Sequence, residues 1–303
     1  MFKNSQFLPA FSLLVLLVSL PLAAGPKSIT IGTLDFPQQQ VLSQILGTYL
    51  EKEGFQVSYK ADLNSISRWR AMEDKEVDIA WEDPAMVWFL KYFEVKTLPD
   101  EELYEEVRKL DREEELVWLG QSNLKKRYTL TMEQGRAEEL GILQISDLAG
   151  YAKDSPGKIK VAMEDEFFIR PDCYTSLKEI YGLSLPRSRI TTGFLGIGFG
   201  LLARGQIDVV IALSTEPLIR AWDLLQLVDD KEALPPYLVG LVAREQIVDS
   251  YPELPGLIED LLKISPDASE VASLNLRVYN GESPVDIALE YLEGKSQEGG
   301  DVY

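Results

Sequence analysis

Hydrophobic and polar positions along this chain switch between two periods. At Ser28-Ile29-Thr30-Ile31-Gly32-Thr33 they alternate with period two and end on glycine, which predicts a strand and a turn. Pro37 then stands where a first helical residue belongs, with Asp35 just ahead of it. Val41, Leu42, Ile45, Leu46, Tyr49 and Leu50 follow at helical spacing, and Gly54 stops the run. Phe55, Val57 and Tyr59 alternate again. This β-α-β order predicts a parallel sheet.

The same grammar returns. A helix from Ser67 to Lys75 leads to a strand over Val77–Trp81 and a helical stretch carrying Met86, Leu90 and Phe93. Residues 99–115 are strongly acidic, with Leu103, Val107 and Leu110 on one stripe. They read as a surface helix with a solvated charged face, a protein-docking face being the alternative. Strands are expected at Leu116–Leu119 and Tyr128–Met132. From Leu143 the pattern restarts, with helices at Ile145–Ala149, Asp172–Tyr181 and Phe194–Ala203 and strands at Ile159–Ala162 and Asp208–Ala212. The apolar run at 208–212 is of the sort buried on both faces. Mixed β and α follow Pro217, and a last helix starts at Ser283-Pro284 and runs to Leu292, ahead of a polar tail from Ser296 that is expected to fray. The middle stretch reads as a second α/β unit inserted into the first. The expected division is lobe 1 from 25–130 and 214–303 and lobe 2 from 131–213, with the chain crossing near Tyr128 and Ser214. A cleft between two such lobes is a common small-molecule site.

The first residues carry an address. Lys3 and the terminal amine precede an apolar run from Ala10 to Leu22, then Pro21 and the small pair Ala23-Ala24. That order predicts a signal peptide over 1–24, with the rest of the chain expected in the periplasm or outside the cell. The alternative is an uncleaved segment that tethers the protein to the membrane. Composition then narrows the chemistry. Lys plus Arg is 30 and Asp plus Glu is 49, a net charge of -19, so a nucleic-acid partner is not expected. Histidine is absent and Cys173 is the single cysteine. His-assisted nucleophiles, His-ligated zinc and cysteine clusters are therefore excluded, and neither metal nor cofactor is expected. Cys173 reads as a buried small hydrophobe. Binding is the better starting assumption than catalysis.

Eight strings, in order along nearly all of the mature chain, resemble the substrate-binding proteins of ABC importers for glycine betaine, choline and related osmoprotectants. They are Gly32–Leu42, Val77–Pro84, Trp118-Leu119 with Tyr128-Thr129-Leu130, Ile145–Ala149, Glu166–Asp172 with Tyr181-Gly182-Leu183, Gly205–Val209 with Ser214-Thr215-Glu216, Asp229-Asp230-Lys231 with Pro235-Pro236-Tyr237, and Leu274-Asn275. The resemblance implies an α/β, two-lobe periplasmic-binding-protein fold of type II. Each lobe would be a mixed, mainly parallel sheet flanked by helices, with two hinge crossings. It also implies closure over a ligand, delivery to the membrane permease of an ABC transporter, and a monomer.

A quaternary ammonium has no N–H to donate, so it is held by the negative faces of several aromatic rings. A carboxylate at its other end needs cationic, hydroxyl or helix-start donors. By position in the resemblance, the ring candidates are Trp81, Tyr128, Phe199 and Tyr237. The anion-side candidates are Thr33, Arg170 and Thr215, plus the backbone opening the helix at Asp35–Pro37. Alternatives stand beside each: Arg170 in a salt bridge with Asp172 or Glu166, Tyr128 packed under the hinge, Phe199 facing its own core, Tyr237 bracing the rim. The chain departs from the family's pattern at Ala80 and Asp83, where tyrosines are frequent, and at Leu213 and Glu216. With Glu82, Asp83 and Glu216 in the cleft, the site would favour choline or another amine over a zwitterion. Competing readings are a ligand sensor or ligand-free scaffold of the same fold, and a hydrolase built on Glu82 and Asp83. The last is disfavoured because neighbours on a strand point to opposite faces.

Overall fold

The computed structural model describes residues 25–94, 96–193 and 196–298. The expected signal peptide lies outside the described residues, as do Phe194 and the last five positions of the tail. No helix among the described residues is long and apolar enough to cross a membrane.

The first unit starts with β1 (Ser28–Leu34), α1 (Pro37–Lys52), β2 (Gln56–Leu63), α2 (Ser65–Glu73) and β3 (Ile79–Glu82). Helical crossovers let the three strands run parallel, and they do: Ile29 lies beside Val57, and Ile31 beside both Tyr59 and Ile79. Next come α3 (Pro84–Met86), a π-helical turn at 87–91, α4 (Asp100–Glu113) and β4 (Leu116–Lys126).

The second unit runs β5 (Tyr128–Glu133), α5 (Gln134–Leu140), α6 (Ile145–Asp154), β6 (Val161–Glu164), α7 (Asp165–Ile169), a π-helical turn at 171–175, α8 (Ser176–Tyr181), β7 (Ile190–Gly193), α9 (Ile197–Leu202), β8 (Val209–Leu213), α10 (Pro217–Ala221) and β9 (Leu224–Gln226). The chain then returns through β10 (Tyr237–Arg244) and α11 (Glu245–Ser250), α12 (Leu254–Lys263), α13 (Ala268–Tyr279) and α14 (Pro284–Glu298).

Two five-stranded sheets result, ordered β2-β1-β3-β10-β4 and β7-β6-β8-β5-β9. In each sheet four strands run one way and a single strand opposes them, β10 in the first and β5 in the second. The architecture is the expected two-sheet α/β arrangement. Strand pairing moves the crossings, however. Tyr128 pairs with Leu213, and β9 also pairs with β5, so the chain changes sheets at Arg127 and again between Gln226 and Tyr237. The sequence reading put these changes at 130/131 and 213/214, because it counted apolar runs and could not see which sheet β9 joins. The tail also differs: α14 continues past Ser296 to Glu298, with the Ser296 hydroxyl donating to the Leu292 carbonyl.

One core lies under α1, where Val41, Leu42, Ile45 and Leu46 press on Ile29, Ile31, Ile79 and Trp81. The other face of the first sheet carries Trp69, Met72, Trp88 and Trp118. That cluster continues without a break into Tyr128, Leu130 and Phe167 of the second unit. Cys173 is buried in it, as expected of a small hydrophobe.

Gly240 of β10 is a tight point in the first sheet. A Cβ there would sit 2.6 Å from the Gly120 carbonyl oxygen and 3.0 Å from the Trp118 ring. Backbone on a paired strand cannot swing aside, so Gly240→Ala should destabilise the protein by about 1–3 kcal/mol, the usual cost of overpacking. Denaturant unfolding measures this; an unchanged midpoint would show that β4 gives way freely.

Candidate functional site

The carboxyl ends of parallel strands are where α/β folds leave a crevice, because the helices start there and the side-chain layer ends. Here both sheets aim such ends at one place. Leu34 closes β1, Glu82 closes β3, Glu164 closes β6, Gly193 closes β7 and Leu213 closes β8. Lys126 closes β4, which runs the same way as β3, and the two opposed strands contribute their starts, Tyr128 of β5 and Tyr237 of β10. All eight residues line a single cleft of about 390 Å³, together with Asp35, Phe36, Gln39, Arg68, Asp83, Asp165, Glu166 and Arg170 among others.

Among the described residues, the rings on the cleft are Phe36, Tyr128 and Tyr237. The two tyrosine rings meet edge to face at 6.0 Å, and Tyr128 also packs on Phe167 at 4.7 Å. Burial raises both phenols well above their ordinary value, so both stay neutral.

The wall has six carboxylates, Asp35, Glu82, Asp83, Glu164, Asp165 and Glu166, against three cations, Arg68, Lys126 and Arg170. Each cation is already engaged. Arg68 is ion-paired with Glu82, and its Nη1 donates to Gln39 Oε1 at 3.2 Å. Lys126 Nζ lies 3.2 Å from Asp83 Oδ2, while Asp83 Oδ1 accepts from the Ala85 N–H and so starts α3. Arg170 is fully buried and forks onto Asp172, with Nε to Oδ1 at 3.0 Å and Nη2 to Oδ2 at 2.7 Å. Its guanidinium stacks 4.8 Å from the Tyr237 ring and 5.2 Å from the Phe89 ring. The Tyr237 hydroxyl donates to the same Asp172 carboxylate at 2.7 Å.

Several expected site residues lie elsewhere. Trp81 is in the core beneath α1, and its indole N–H donates to the Leu42 carbonyl at 2.9 Å. On a four-residue strand, Trp81 and Glu82 must face opposite ways, and it is Glu82 that takes the cleft. Phe199 is buried in a separate small cluster, edge-on to Trp222 at 6.0 Å. Thr33 is buried, with its hydroxyl donating to the Gln39 carbonyl at 3.3 Å. Thr215 donates to Gln38 Oε1 at 2.8 Å, and Asn275 donates to the Thr215 carbonyl at 2.8 Å. These last two contacts bridge the two units beside the cleft. Asp35, Glu82, Asp83, Tyr128, Arg170 and Tyr237 do line the cleft.

Arg68, Lys126, Glu164 and Asp165 are cleft residues that sequence reasoning passed over. A signal existed for Glu164: it follows the apolar run Val161-Ala162-Met163 as the last strand residue. Burial, together with nearby Glu166, pushes its carboxyl up to about 7, against the pull of Lys126. Burial also raises Glu82, against the pull of Arg68, and raises Glu166. Glu216, outside the cleft lining, is likewise pushed up to about 7 by burial. A carboxyl whose folded value exceeds its ordinary 4.5 favours the fold while protonated. That stability is complete below about 4.5 and is lost as pH rises through about 7. The Glu164→Gln variant stays neutral throughout, so its denaturation midpoint should gain on the native protein's between pH 5 and pH 8. A constant difference would mean Glu164 ionises freely in the fold.

With this geometry in hand, the likeness to known proteins is direct. The family described as the substrate binding domain of ABC-type glycine betaine transport systems matches residues 27–294. The glycine-betaine-binding protein of Pseudomonas aeruginosa is 29% identical over 290 residues, 91% of this chain and 93% of that protein. The glycine betaine-binding protein YehZ of Escherichia coli is 26% identical over 288 residues, 92% of this chain and 93% of its own. A solved structure of a glycine betaine/carnitine/choline ABC transporter protein has the same fold, with a TM-score of 0.72 at 21% identity over 88% of this chain and 98% of that one. The chain belongs to the family of substrate-binding domains of ABC-type glycine betaine transport systems.

Proposed function

We propose that this protein captures a small quaternary-ammonium or amine osmolyte, of the class of glycine betaine and choline, and hands it to the permease of an ABC transporter outside the cytoplasm. One observation carries the reading. A cleft of about 390 Å³ between two sheets presents tyrosine and phenylalanine rings and an excess of carboxylates, while each of its cations is held by an acidic partner of its own. Ring faces attract a cation that offers no hydrogen. Surplus carboxylates in a partly dry cleft do the same over a longer range. The glycine-betaine-binding relatives point to the same ligand class.

Capture is reversible binding without turnover. The crossings at Arg127 and between Gln226 and Tyr237 act as the hinge, and ligand shifts the population towards the closed state.

Calorimetry with choline and with glycine betaine on purified protein tests the reading. Saturable one-to-one binding of either supports it. Binding of neither, with no ligand found by native mass spectrometry of protein from its own host, rejects it. Tyr128→Ala should weaken cation binding about tenfold, the worth of one well-desolvated ring contact, while Tyr128→Phe keeps most of it. Equal affinity of the alanine variant would remove Tyr128 from the ligand.

A further inference from the structure

We propose that Glu164 is the hydrogen-bond acceptor for the bound ligand, so that the cleft selects a cation carrying an O–H or N–H near its charged centre over a zwitterion of similar size. This rests on the cation capture argued above and names the feature that decides among such ligands.

Glu164 ends β6 on the cleft wall. Its Oε1 is enclosed and has no hydrogen-bond partner among the described residues. Its Oε2 meets only the far end of the Tyr128 hydroxyl, at 3.5 Å. Of the other acidic groups on the wall, Glu82, whose two enclosed oxygens also have no hydrogen-bond partner among the described residues, has its charge matched by Arg68, Asp83 has Lys126 and two backbone N–H groups, Asp35 is exposed and accepts from Gln40, Asp165 is exposed, and Glu166 is half-buried. An enclosed acceptor without a donor is costly, and a ligand that brings a donor removes that cost. A ligand carboxylate fares worse. The Arg170 fork that would grip it is filled by Asp172, and the start of α1 opens on the cleft with Asp35 beside it.

The groups facing Glu164 sharpen the selection. Glu166 of α7 and Glu216 ahead of α10 oppose its ionisation, and Lys126 of β4 and Arg170 favour it. Tyr128 of β5 brings a neutral hydroxyl. Burial outweighs the two cations, and the carboxyl, pushed up to about 7, is partly protonated near neutral pH. An arriving cation tips this balance. The Glu164 O–H bond then breaks, the proton passes to solvent, and the carboxylate accepts the ligand's hydrogen.

The test is titration calorimetry of choline and of glycine betaine at pH 6.5, each in two buffers of different ionisation enthalpy, on the native protein and on Glu164→Gln. The native protein should bind choline at least tenfold more tightly than glycine betaine and release part of a proton per choline. In Glu164→Gln the proton release should vanish and the preference should shrink towards parity. If that variant does not fold, buffer-dependent heat on the native protein still decides. Tighter or equal binding of glycine betaine by the native protein, or choline binding without proton release, overturns this inference and leaves cation capture standing. Binding of neither ligand overturns both.

Discussion

The bidentate pairing of Arg170 with Asp172 is the constraint on which the cleft depends. Arg170 follows α7 in the second unit, yet its guanidinium lies among Phe89, Met86 and Tyr237 of the first. A buried guanidinium is tolerable only with its charge matched and its donors filled. Asp172 does both, and it also accepts from Tyr237. One carboxylate thereby ties the two sheets together at the back of the cleft. Because the match is internal, Arg170 contributes little net charge to the space in front of it. The acidic wall is left in excess.

The carboxylates on that wall divide by what holds them. Glu82 and Asp83 are adjacent in sequence but engage different cations, Arg68 and Lys126, and Asp83 also caps a helix. They build the wall. Glu164 lines the same space with an enclosed oxygen that has no hydrogen-bond partner among the described residues. Glu164 therefore stands among rings and committed ion pairs.

Much of the fold was legible because period and punctuation are local. The run Val41 to Leu50 with Pro37 ahead and Gly54 behind could only be α1, and the apolar stretch 209–213 could only be an interior strand. The family resemblance was legible for the same reason, since it rests on short strings at strand ends and helix starts. Of the residues expected at a site, Tyr128, Tyr237, Arg170, Asp35, Glu82 and Asp83 lie on the cleft wall. Trp81 was misplaced because the side of a short strand that faces the ligand depends on which sheet face meets the cleft. Phe199 was misplaced because its helix packs its own small core.

The sequence alone determined the alternation of strands and helices, the two-unit α/β plan, the acidic character and the exclusion of histidine and cysteine chemistry. These follow from side-chain type and spacing, which one chain displays in one dimension. Only the tertiary structure decided which sheet β9 joins, which cations are already spoken for, and which carboxylates they hold. Those are properties of pairing between residues as far apart as Arg170 and Met86 or Tyr237 and Asp172. Ion-pair strength and burial depend on distance through space, and the order of residues along the chain does not encode that distance.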